Sequence, residues 1–336
     1  MTDAVLTEST ARARDGHDLD ESTARRCLDA MLDGDVPRDV IVDWLTAIAD
    51  KGVAVDELVG AARSMRSHMV TIDHGLDGVM DTCGTGGSHS GTFNISTAAA
   101  IVIAAGGVKV AKHGNRRATS HSGSADVLSE LGVAMHTDPA VLSERLRRDG
   151  IVFCFAPGLH PAMRHVVEAR RAVGRKTLFN LLGPLCNPAG ADRQLLGTSS
   201  AEDQTLIAEA ARRLGFSRAA IVHAEDGQDE VSLSSPTTVI PIGYRDGVQT
   251  LAPESFGLEP IDPTSIRVAD PRQSAALIRD VLGGKPGPSR ETVVANAALG
   301  FVVAGRVDEL RAGVDLASTV IDDGSAARTL HAMAAA

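Results

Sequence analysis

The stretch DTCGTGGSHSGTFNIST, residues 81–97, stands directly before the apolar run AAAIVIAAGG, residues 98–107. It contains four glycines, many hydroxyl side chains and a single formal charge, at Asp81. Glycines let a backbone approach a ligand and direct its N–H groups at it, and a helix that begins at residues 94–97 would attract anions with its dipole. The stretch therefore predicts a strand-to-helix turn that binds phosphate mainly through the main chain. Glycine spacing alone fits an ordinary tight turn equally well.

Two common nucleotide-binding motifs do not fit this stretch. It lacks the G-x-x-x-x-G-K-[ST] pattern of the NTPase loop, and no acidic residue follows at the distance typical of a dinucleotide-binding turn. The next unit, VKVAKHGNRRATSHSGSADVLSELG at residues 108–132, repeats the arrangement. A predicted strand delivers Lys112 to a second glycine-bearing loop, and Ser124 begins a further helix. Two phosphate-competent turns on consecutive strand–helix units indicate a ligand with phosphates at two places.

The hydrophobic pattern on either side of this turn predicts the fold class. In PRDVIVDWLTAIADKG, residues 37–52, apolar pairs return every four residues, and residues 55–69 repeat that helical period. From Val79 onward, short β-like runs alternate with helical ones, which is typical of a mostly parallel sheet covered by helices. The predicted strands are VKVAKHG, IVFCFAP, AAIVHAE and TTVIPIG, and the predicted helices cover residues 97–105, 124–131, 139–149, 202–214 and 274–282.

We therefore predict an α/β protein with a small all-helical N-terminal domain and a larger α/β domain built on a mostly parallel central sheet. Residues 1–18 are expected to form a flexible N-terminal tail, residues 19–77 the helical domain and residues 78–336 the α/β domain. The segment of residues 160–182 has helical character, and we expect it to join the helical domain.

Composition narrows the classes of function. Of 336 residues, 43% are hydrophobic and 23% charged, as in a folded protein. The net charge of −10, with one Trp and one Tyr, disfavours nucleic-acid and membrane partners. The four widely spaced cysteines favour free thiols in a reducing compartment over disulfides or zinc. Because the first twenty residues lack the apolar core of a signal peptide, and the longest apolar stretch is about half a membrane span, we expect a cytoplasmic protein.

Several further motifs follow one another in a fixed order along residues 19–336. They are GTGG at 84–87, NIST at 94–97, KHGNR at 112–116, GSADVL at 123–128, FAP at 155–157, HPAMR at 160–164, FNLLGPLCNP at 179–188 and DEVS at 229–232. With these motifs the sequence closely resembles the anthranilate phosphoribosyltransferase family, and ordered blocks are more specific than any single motif. The resemblance implies a nucleoside phosphorylase-like phosphoribosyltransferase fold, in which residues 78–336 bind the phosphoribosyl group.

The same resemblance implies an activity and a set of site residues. Family members use Mg²⁺ to transfer a phosphoribosyl group from phosphoribosyl pyrophosphate (PRPP) to the amine of anthranilate in tryptophan biosynthesis, and they are usually homodimers formed through the helical region. The implied PRPP-binding residues are Gly84, Thr85, Gly86, Gly87, Asn94, Ile95, Ser96, Thr97, Lys112 and Ser124. The implied acceptor-binding residues are His113, Asn115, His160 and Arg164, and the implied Mg²⁺ ligands are Ser96, Asp229 and Glu230.

The residue types suit these roles chemically. Carboxylate oxygens are the ligands that Mg²⁺ prefers, and a planar guanidinium such as that of Arg164 can pair with an aromatic carboxylate. An aryl amine is already a neutral nucleophile at pH 7, so we assign no general base and no covalent nucleophile, and Cys83 and Cys154 are interpreted as small buried hydrophobes. Taken alone, the run EDGQDE at 225–230 would be an ordinary solvated turn, and each histidine an ordinary structural one.

The sequence departs from the family pattern at a few positions, which leaves alternatives open. Ser88 stands where the family usually has Asp; Arg117, Thr119 and His121 alter the second loop; and Gln228 replaces an apolar residue. One alternative is a paralogue that uses a different aromatic acceptor in a specialised pathway. Others are a pyrimidine nucleoside phosphorylase, a non-catalytic family-like binding protein and, from the glycines alone, a nicotinamide-dependent oxidoreductase. The motifs KHGNR and HPAMR favour the anthranilate enzyme over the pyrimidine nucleoside phosphorylase.

Overall fold

A computed structural model describes residues 2–86, 90–116 and 122–335 of the chain. The predictions made for Gly87, Ser88, Arg117, Thr119 and His121 fall outside these described residues. No helix within them has the length and apolarity needed to cross a bilayer.

Four helices form the N-terminal region: α1 (Thr2–Arg14), α2 (Glu21–Asp33), α3 (Arg38–Lys51) and α4 (Val55–His68). The predicted apolar stripe of α3 is buried inside the chain, with Trp44 at its centre. The prediction of a flexible tail over residues 1–18 is wrong for α1, because Leu6 is fully buried and Ser9 accepts a hydrogen bond from the indole N–H of Trp44 at 3.0 Å. The polar sequence of α1 gives little helical signal, and its contacts with α3 hold it in place.

Strands and helices alternate from Met80 onward. In chain order they are β1 (Met80–Gly84), α5 (Ile95–Ala105), β2 (Val110–Gly114), α6 (Ser124–Glu130), α7 (Pro139–Asp149), β3 (Ile151–Phe155), α8 (Ala156–Leu159), α9 (Val167–Val173), α10 (Leu178–Leu182), β4 (Arg193–Gly197), α11 (Ala201–Arg213), β5 (Arg218–Ala224), β6 (Thr237–Ile242), β7 (Gln249–Leu251), α12 (Pro253–Phe256), α13 (Pro271–Leu282), α14 (Pro288–Val303), α15 (Leu310–Asp322) and α16 (Ser325–Ala334). Short 3₁₀ turns lie at Pro161–His165, Gly183–Leu185 and Pro263–Ile266.

The strands of the described part form one sheet in the order β3-β2-β1-β4-β5-β6-β7. Neighbours from β3 to β5 are parallel, whereas β6 and β7 are antiparallel additions at one edge. This confirms the predicted α/β class with a mostly parallel sheet. The prediction lacks β4 and β7, because β4 begins with the polar pair Arg193 and Gln194 and β7 has only three residues.

The topology places a crevice beside β1. The chain first builds β1, β2 and β3 toward one edge and then returns to add β4 on the other side of β1. In open α/β sheets, ligands bind outside the carboxyl ends of the strands at such a switch point. Residues of the 160–182 segment, including Val166 and Leu178, share one apolar core with α2, α3 and α4, and that core continues into α11 and β5.

Candidate active site

A cleft of about 860 Å³ opens at the carboxyl ends of β1 and β2. Its lining includes most of the residues implied by the sequence: Gly84, Thr85, Gly86, Asn94, Ser96, Lys112, His113, Asn115, Ser124, His160, Arg164, Asp229 and Glu230. The side chains of Ile95 and Thr97 do not line it; they are buried in the interior behind the first turn of α5. The switch point of the sheet therefore brings together residues that lie up to about 150 positions apart in the sequence.

The backbone N–H groups in the first turn of α5 already donate hydrogen bonds within the chain. The amide of Ser96 donates to Glu230 Oε1 at 2.9 Å, and those of Thr97 and Ala98 donate to the carbonyl of Asn94 at 3.1 Å each. This corrects the expectation that these amides stand open to phosphate. The turn that precedes α5 remains, and there the hydroxyl of Thr85 is buried without a hydrogen-bond partner among the described residues. A buried polar group of this kind calls for a partner that the described residues do not supply.

Asn94 joins the two glycine-bearing loops. Its side-chain amide donates to the carbonyl of Ser122 at 3.2 Å, and its Oδ1 accepts from the Ser122 hydroxyl at 2.7 Å. Ser124 donates to the carbonyl of Asn115 at 3.3 Å, and a Cβ on Gly114 would lie 2.2 Å from the Ser124 Oγ. A side chain at position 114 would therefore displace the Ser124 hydroxyl and the ring of Phe153.

The floor of the cleft holds a buried pair of opposite charges. Lys112 is 3% exposed and donates from Nζ to the carbonyl of Thr82 and, at 3.3 Å, to Ser96 Oγ. Burial lowers the pKa of Lys112, and Asp81 is the foremost of the charges that oppose this shift. Asp81 is fully buried and accepts from the backbone N–H of His113 at 3.0 Å and from Asn187 Nδ2 at 2.9 Å. Burial raises the pKa of Asp81, and Lys112 opposes that shift in turn.

The motifs assign no role to Asp81, although it is the single formal charge of the glycine-rich stretch. A lone carboxylate inside an otherwise uncharged strand was the available signal, because such a group must find partners when the strand is buried. The structure shows those partners, and they lie directly beneath the cleft.

Asp229 and Glu230 lie beside the glycine-rich turn. A Cβ on Gly84 would lie 2.6 Å from Asp229 Oδ2, and one on Gly197 would lie 1.5 Å from the Asp229 carbonyl oxygen. Position 197 therefore leaves no room for a side chain, and a side chain at position 84 would displace the Asp229 carboxylate. Burial, and then the neighbouring charge of Asp229, raise the pKa of Glu230 to about 8.

These residues fit a Mg²⁺ ion that also binds its substrate. Among the described residues, no cluster of three or more His, Cys, Asp or Glu side chains could hold a metal alone. Two adjacent carboxylates and the hydroxyl of Ser96 form an incomplete oxygen set, which suits Mg²⁺ because this ion usually keeps waters and takes phosphate oxygens as ligands. Burial, followed by the like charge of Asp229, raises the pKa of Glu230, and a divalent cation bound here would offset both effects.

His113 and His160 form a neutral pair on the opposite wall. His113 Nδ1 lies 3.1 Å from the carbonyl of Gly183 and must donate to it, so Nε2 of the same ring is an acceptor. His160 Nε2, at 3.2 Å, then donates to His113 Nε2. Burial lowers the pKa of His113 to about 4, and burial followed by the charge of His113 lowers the pKa of His160 to about 3. Both rings are therefore uncharged at neutral pH.

Two arginines that line the cleft, Arg164 and Arg170, are candidates for binding the carboxylate of a ligand. Arg164, the residue implied by the sequence, is exposed at the rim and donates from NH1 to the carbonyl of Pro161 at 3.4 Å. Arg170 is half-buried in the cleft wall, with its guanidinium carbon 5.2 Å from the ring centre of Phe179. Burial lowers the pKa of Arg170, and no carboxylate of the described residues pairs with it. Arg170 is thus the better-placed cation.

Arg170 is absent from the site residues implied by the sequence, but the sequence contains a signal for it. On helix α9, Arg170 lies four residues after the fully buried Val166 and directly after the buried Ala169. Residues four apart share one helix face, so the pattern places a charged side chain on a buried face. An arginine in that position without a carboxylate partner is a candidate for ligand binding.

Two family models match the chain. One, described as the helical bundle domain of a glycosyl transferase family, matches residues 7–69, and the other, described as the a/b domain of that family, matches residues 76–327. Among similar proteins, an anthranilate phosphoribosyltransferase of Rhodopirellula baltica is 52% identical, over 99% of this chain and 98% of its own length. One from Rubrobacter xylanophilus is 43% identical, over 97% and 96%.

Solved structures agree with these sequence matches. The anthranilate phosphoribosyltransferase of Thermus thermophilus superposes with a TM-score of 0.92 at 39% identity, covering 97% of this chain and 98% of that one. The enzyme of Saccharomyces cerevisiae in complex with PRPP and Mg superposes with a TM-score of 0.91 at 28% identity, covering 98% and 97%. The same yeast enzyme has also been solved with 4-fluoroanthranilate.

Proposed function

We propose the function from one premise: this chain belongs to the glycosyl transferase family whose helical-bundle and α/β domains it contains, and within it to the anthranilate phosphoribosyltransferases. It catalyses Mg²⁺-dependent transfer of the phosphoribosyl group of PRPP to the amine of anthranilate, a step of tryptophan biosynthesis. The products are N-(5-phosphoribosyl)anthranilate and pyrophosphate. One observation supports this most directly: a single cleft joins a charge-poor glycine turn, an acidic pair and an arginine that has no carboxylate partner among the described residues.

The glycine turn and the acidic pair form the PRPP end of the cleft. We place the diphosphate against residues 84–86, where the unpartnered Thr85 hydroxyl can donate to it. Asp229, Glu230 and Ser96 would hold Mg²⁺, which when bound supplies positive charge to the diphosphate as it leaves. Lys112 adds a fixed positive charge beneath the same turn. These groups are already in place before reaction, so they stabilise the developing charge without reorganisation.

The opposite wall orients the acceptor. We place the carboxylate of anthranilate at Arg170, whose guanidinium is held in position by Phe179. His113 and His160 are neutral, so they do not offer a competing cation to that carboxylate. The amine then faces the ribose, and because it is a neutral nucleophile, correct positioning supplies most of what the chain must add.

A coupled fluorescence assay tests the activity. Purified protein, PRPP and Mg²⁺ should consume anthranilate, and the reaction should stop when EDTA removes the metal. Replacing anthranilate by a panel of other aromatic amines tests the paralogue alternative, and thymidine or uridine with phosphate tests the phosphorylase alternative. If anthranilate persists while another acceptor is consumed, the proposed substrate is wrong.

Arg170→Ala tests the acceptor assignment. Loss of a charge-assisted hydrogen bond worth about 1.5–3 kcal/mol predicts a rise of roughly 10- to 150-fold in the KM for anthranilate, with the KM for PRPP changing far less. Arg171→Ala is the matched control, because Arg171 is exposed and bonded to Glu168. A rise for Arg164→Ala without one for Arg170→Ala would restore the assignment made from sequence.

We also propose the domain organisation, assembly and location of the chain. The helical domain consists of α1 and residues 19–77, joined by the helices of residues 160–182, and the shared apolar packing of these segments, which includes Leu6 of α1, supports this division. Only the family resemblance supports a homodimer, because the apolar stripe of α3 is buried within its own chain and is not available to a second copy. Sedimentation velocity tests this assembly.

A cytoplasmic location without nucleic-acid or membrane partners is supported by the four free cysteines and the net charge of −10.

A further inference from the structure

The loop that carries Asp229 and Glu230 is held by a cluster of polar side chains on its outer side. Asp226 Oδ2 accepts three hydrogen bonds: from Gln228 Nε2 at 2.7 Å, from Ser232 Oγ at 2.8 Å and from Ser234 Oγ at 2.8 Å. Asp226 Oδ1 accepts from the backbone N–H of Gln228 at 3.2 Å. The carboxylate thus binds residues that lie on both sides of the acidic pair.

The donors of this cluster are themselves interlinked. Gln228 Nε2 also donates to Ser232 Oγ at 3.1 Å, and the backbone N–H of Ser234 donates to the same oxygen at 3.0 Å. Gln228 and Ser232 are 4% and 1% exposed, whereas Asp226 lies at the surface above them. Gln228 Oε1 is buried without a hydrogen-bond partner among the described residues, which costs stability. What this buried polar residue contributes is its Nε2 contacts with the cluster.

Further contacts hold the same loop from its inner side. Asn296 donates to the carbonyl of Val231 at 2.9 Å and accepts from the backbone N–H of Val231 at 3.0 Å. The backbone of Asp229 packs against Gly197, and Glu230 Oε1 accepts from the amide of Ser96. The acidic pair therefore lies between a fixed inner side and the Asp226 cluster, so loss of the cluster would free the outer side alone.

We infer that Asp226 is a positioning residue for the acidic pair: through Gln228, Ser232 and Ser234 it fixes the loop so that Asp229 and Glu230 are presented together to the metal–diphosphate group of PRPP. The inference rests on the proposed function, because it takes Mg²⁺ and PRPP as the ligands. Asp226 itself is not a ligand, since its carboxylate is occupied by the cluster. Residues that orient metal ligands are typically worth 10- to 100-fold in metal affinity.

Asp226→Ala tests this role without turnover. Calorimetric titration of PRPP into the whole protein at several Mg²⁺ concentrations, with no anthranilate present, gives the Mg²⁺ concentration that half-saturates PRPP binding. We expect Asp226→Ala to raise it about tenfold. The amide hydrogens of Gln228 and Ser234, which bond to the cluster, should exchange faster. The KM for anthranilate at saturating PRPP and Mg²⁺ should stay within about twofold, which separates positioning of the acidic pair from a general loss of structure. Glu225→Ala, at the neighbouring exposed carboxylate, is the matched control and should leave both quantities unchanged.

The possible outcomes distinguish a failure of the Asp226 inference from a failure of the proposed function. An unchanged Mg²⁺ requirement in Asp226→Ala, or an equal loss of PRPP and anthranilate affinity, overturns the inference while the proposed function stands. If the wild-type protein fails to bind PRPP with Mg²⁺, the proposed function and the inference both fall. Should Asp226→Ala not fold, Ser234→Ala removes one donor of the cluster and is read by the same criterion, with an expected rise of about threefold; no rise overturns the inference.

Discussion

At the residue scale, the cleft contains a buried pair of opposite charges at one end and a pair of uncharged histidines at the other. Asp81 and Lys112 are buried close together, so each offsets part of the cost of burying the other. His113 and His160 are instead kept neutral by burial and by a shared hydrogen bond. Arg170 alone among these groups keeps a charge with no carboxylate partner in the described part of the chain, which is why we assign it to the anionic acceptor.

The histidine pair predicts a loss of stability in acid. Both folded-state pKa values, about 4 and about 3, lie below the ordinary value of 6.5, so the unfolded chain binds protons first as the pH falls. The free energy of unfolding is thus unaffected by the pair above pH 6.5. It falls from pH 6.5 to about pH 4 for His113 and to about pH 3 for His160, by roughly 2–3 kcal/mol per histidine at pH 4.5. Urea unfolding at several pH values should show a shallower acid slope for the double variant His113→Gln/His160→Gln. Equal slopes would contradict the prediction.

At the scale of elements, helix ends follow local rules, whereas contacts between helices depend on single positions. Asp20 and Ser200 accept from backbone N–H groups at the starts of α2 and α11, and Gly34, at φ 86°, ends α2. Gly60 in α4 is a different case: its φ is ordinary, but α2 passes so close that a Cβ would lie 2.2 Å from the carbonyl oxygen of Glu21. Gly60 therefore sets how closely α2 and α4 approach.

Gly60→Ala should destabilise the protein despite alanine's higher helix propensity. Helix propensity favours alanine over glycine by about 1 kcal/mol, but overpacking against a backbone carbonyl typically costs about 1–3 kcal/mol, and more when the backbone must move. We expect a net loss of roughly 2 kcal/mol in the free energy of unfolding, measured by urea denaturation. Arg26→Ala, on the exposed side of α2, is the control and should change stability by no more than about 0.5 kcal/mol. A gain in stability for Gly60→Ala would show that α2 and α4 are free to separate.

At the scale of the whole molecule, the helical and α/β regions share apolar packing. One buried cluster contains Leu45 of α3, Leu178 of α10, Ile207 of α11 and Ile221 of β5. Arg66 of α4 adds a polar link, donating from Nε to the carbonyl of Leu185 at 2.8 Å. The helical region is therefore held by the segment of residues 160–186 and by one face of the sheet rather than by its own helices alone.

This shared packing predicts a single cooperative unfolding transition. Trp44 is the one tryptophan of the sequence and is fully buried in α3, so its fluorescence reports the helical region. Far-UV circular dichroism reports the whole chain. The two probes should give coincident urea transitions, because the helical region cannot lose its packing without exposing that of α11 and β5. A Trp44 transition at clearly lower urea would mean that the helical region unfolds alone.

Several features could be predicted from sequence because their signals are local. The alternation of strands and helices, the strand-to-helix turn at residues 81–97 and the identity of most cleft residues all depend on short-range patterns or ordered motifs. Helix α1 was predicted to be a flexible tail because its stability comes from contact with α3 rather than from its own polar sequence. Arg164 was assigned and Arg170 overlooked because a motif shows residue order and not which helix face meets the cleft.

The sequence by itself determined the fold class, the family and the chemistry available at the site, because hydrophobic period and motif order are properties of neighbouring residues. Only the tertiary structure decided which groups remain free to act. Among the described residues, it assigned the first amides of α5 to Asn94 and Glu230, and it left the Thr85 hydroxyl without a hydrogen-bond partner and Arg170 without a carboxylate partner. It also enclosed Asp229 and Glu230 between Asn296 and the Asp226 cluster. Hydrogen-bond donors and acceptors are limited in number and satisfied across long sequence separations, so their remaining capacity becomes visible only after the chain has folded.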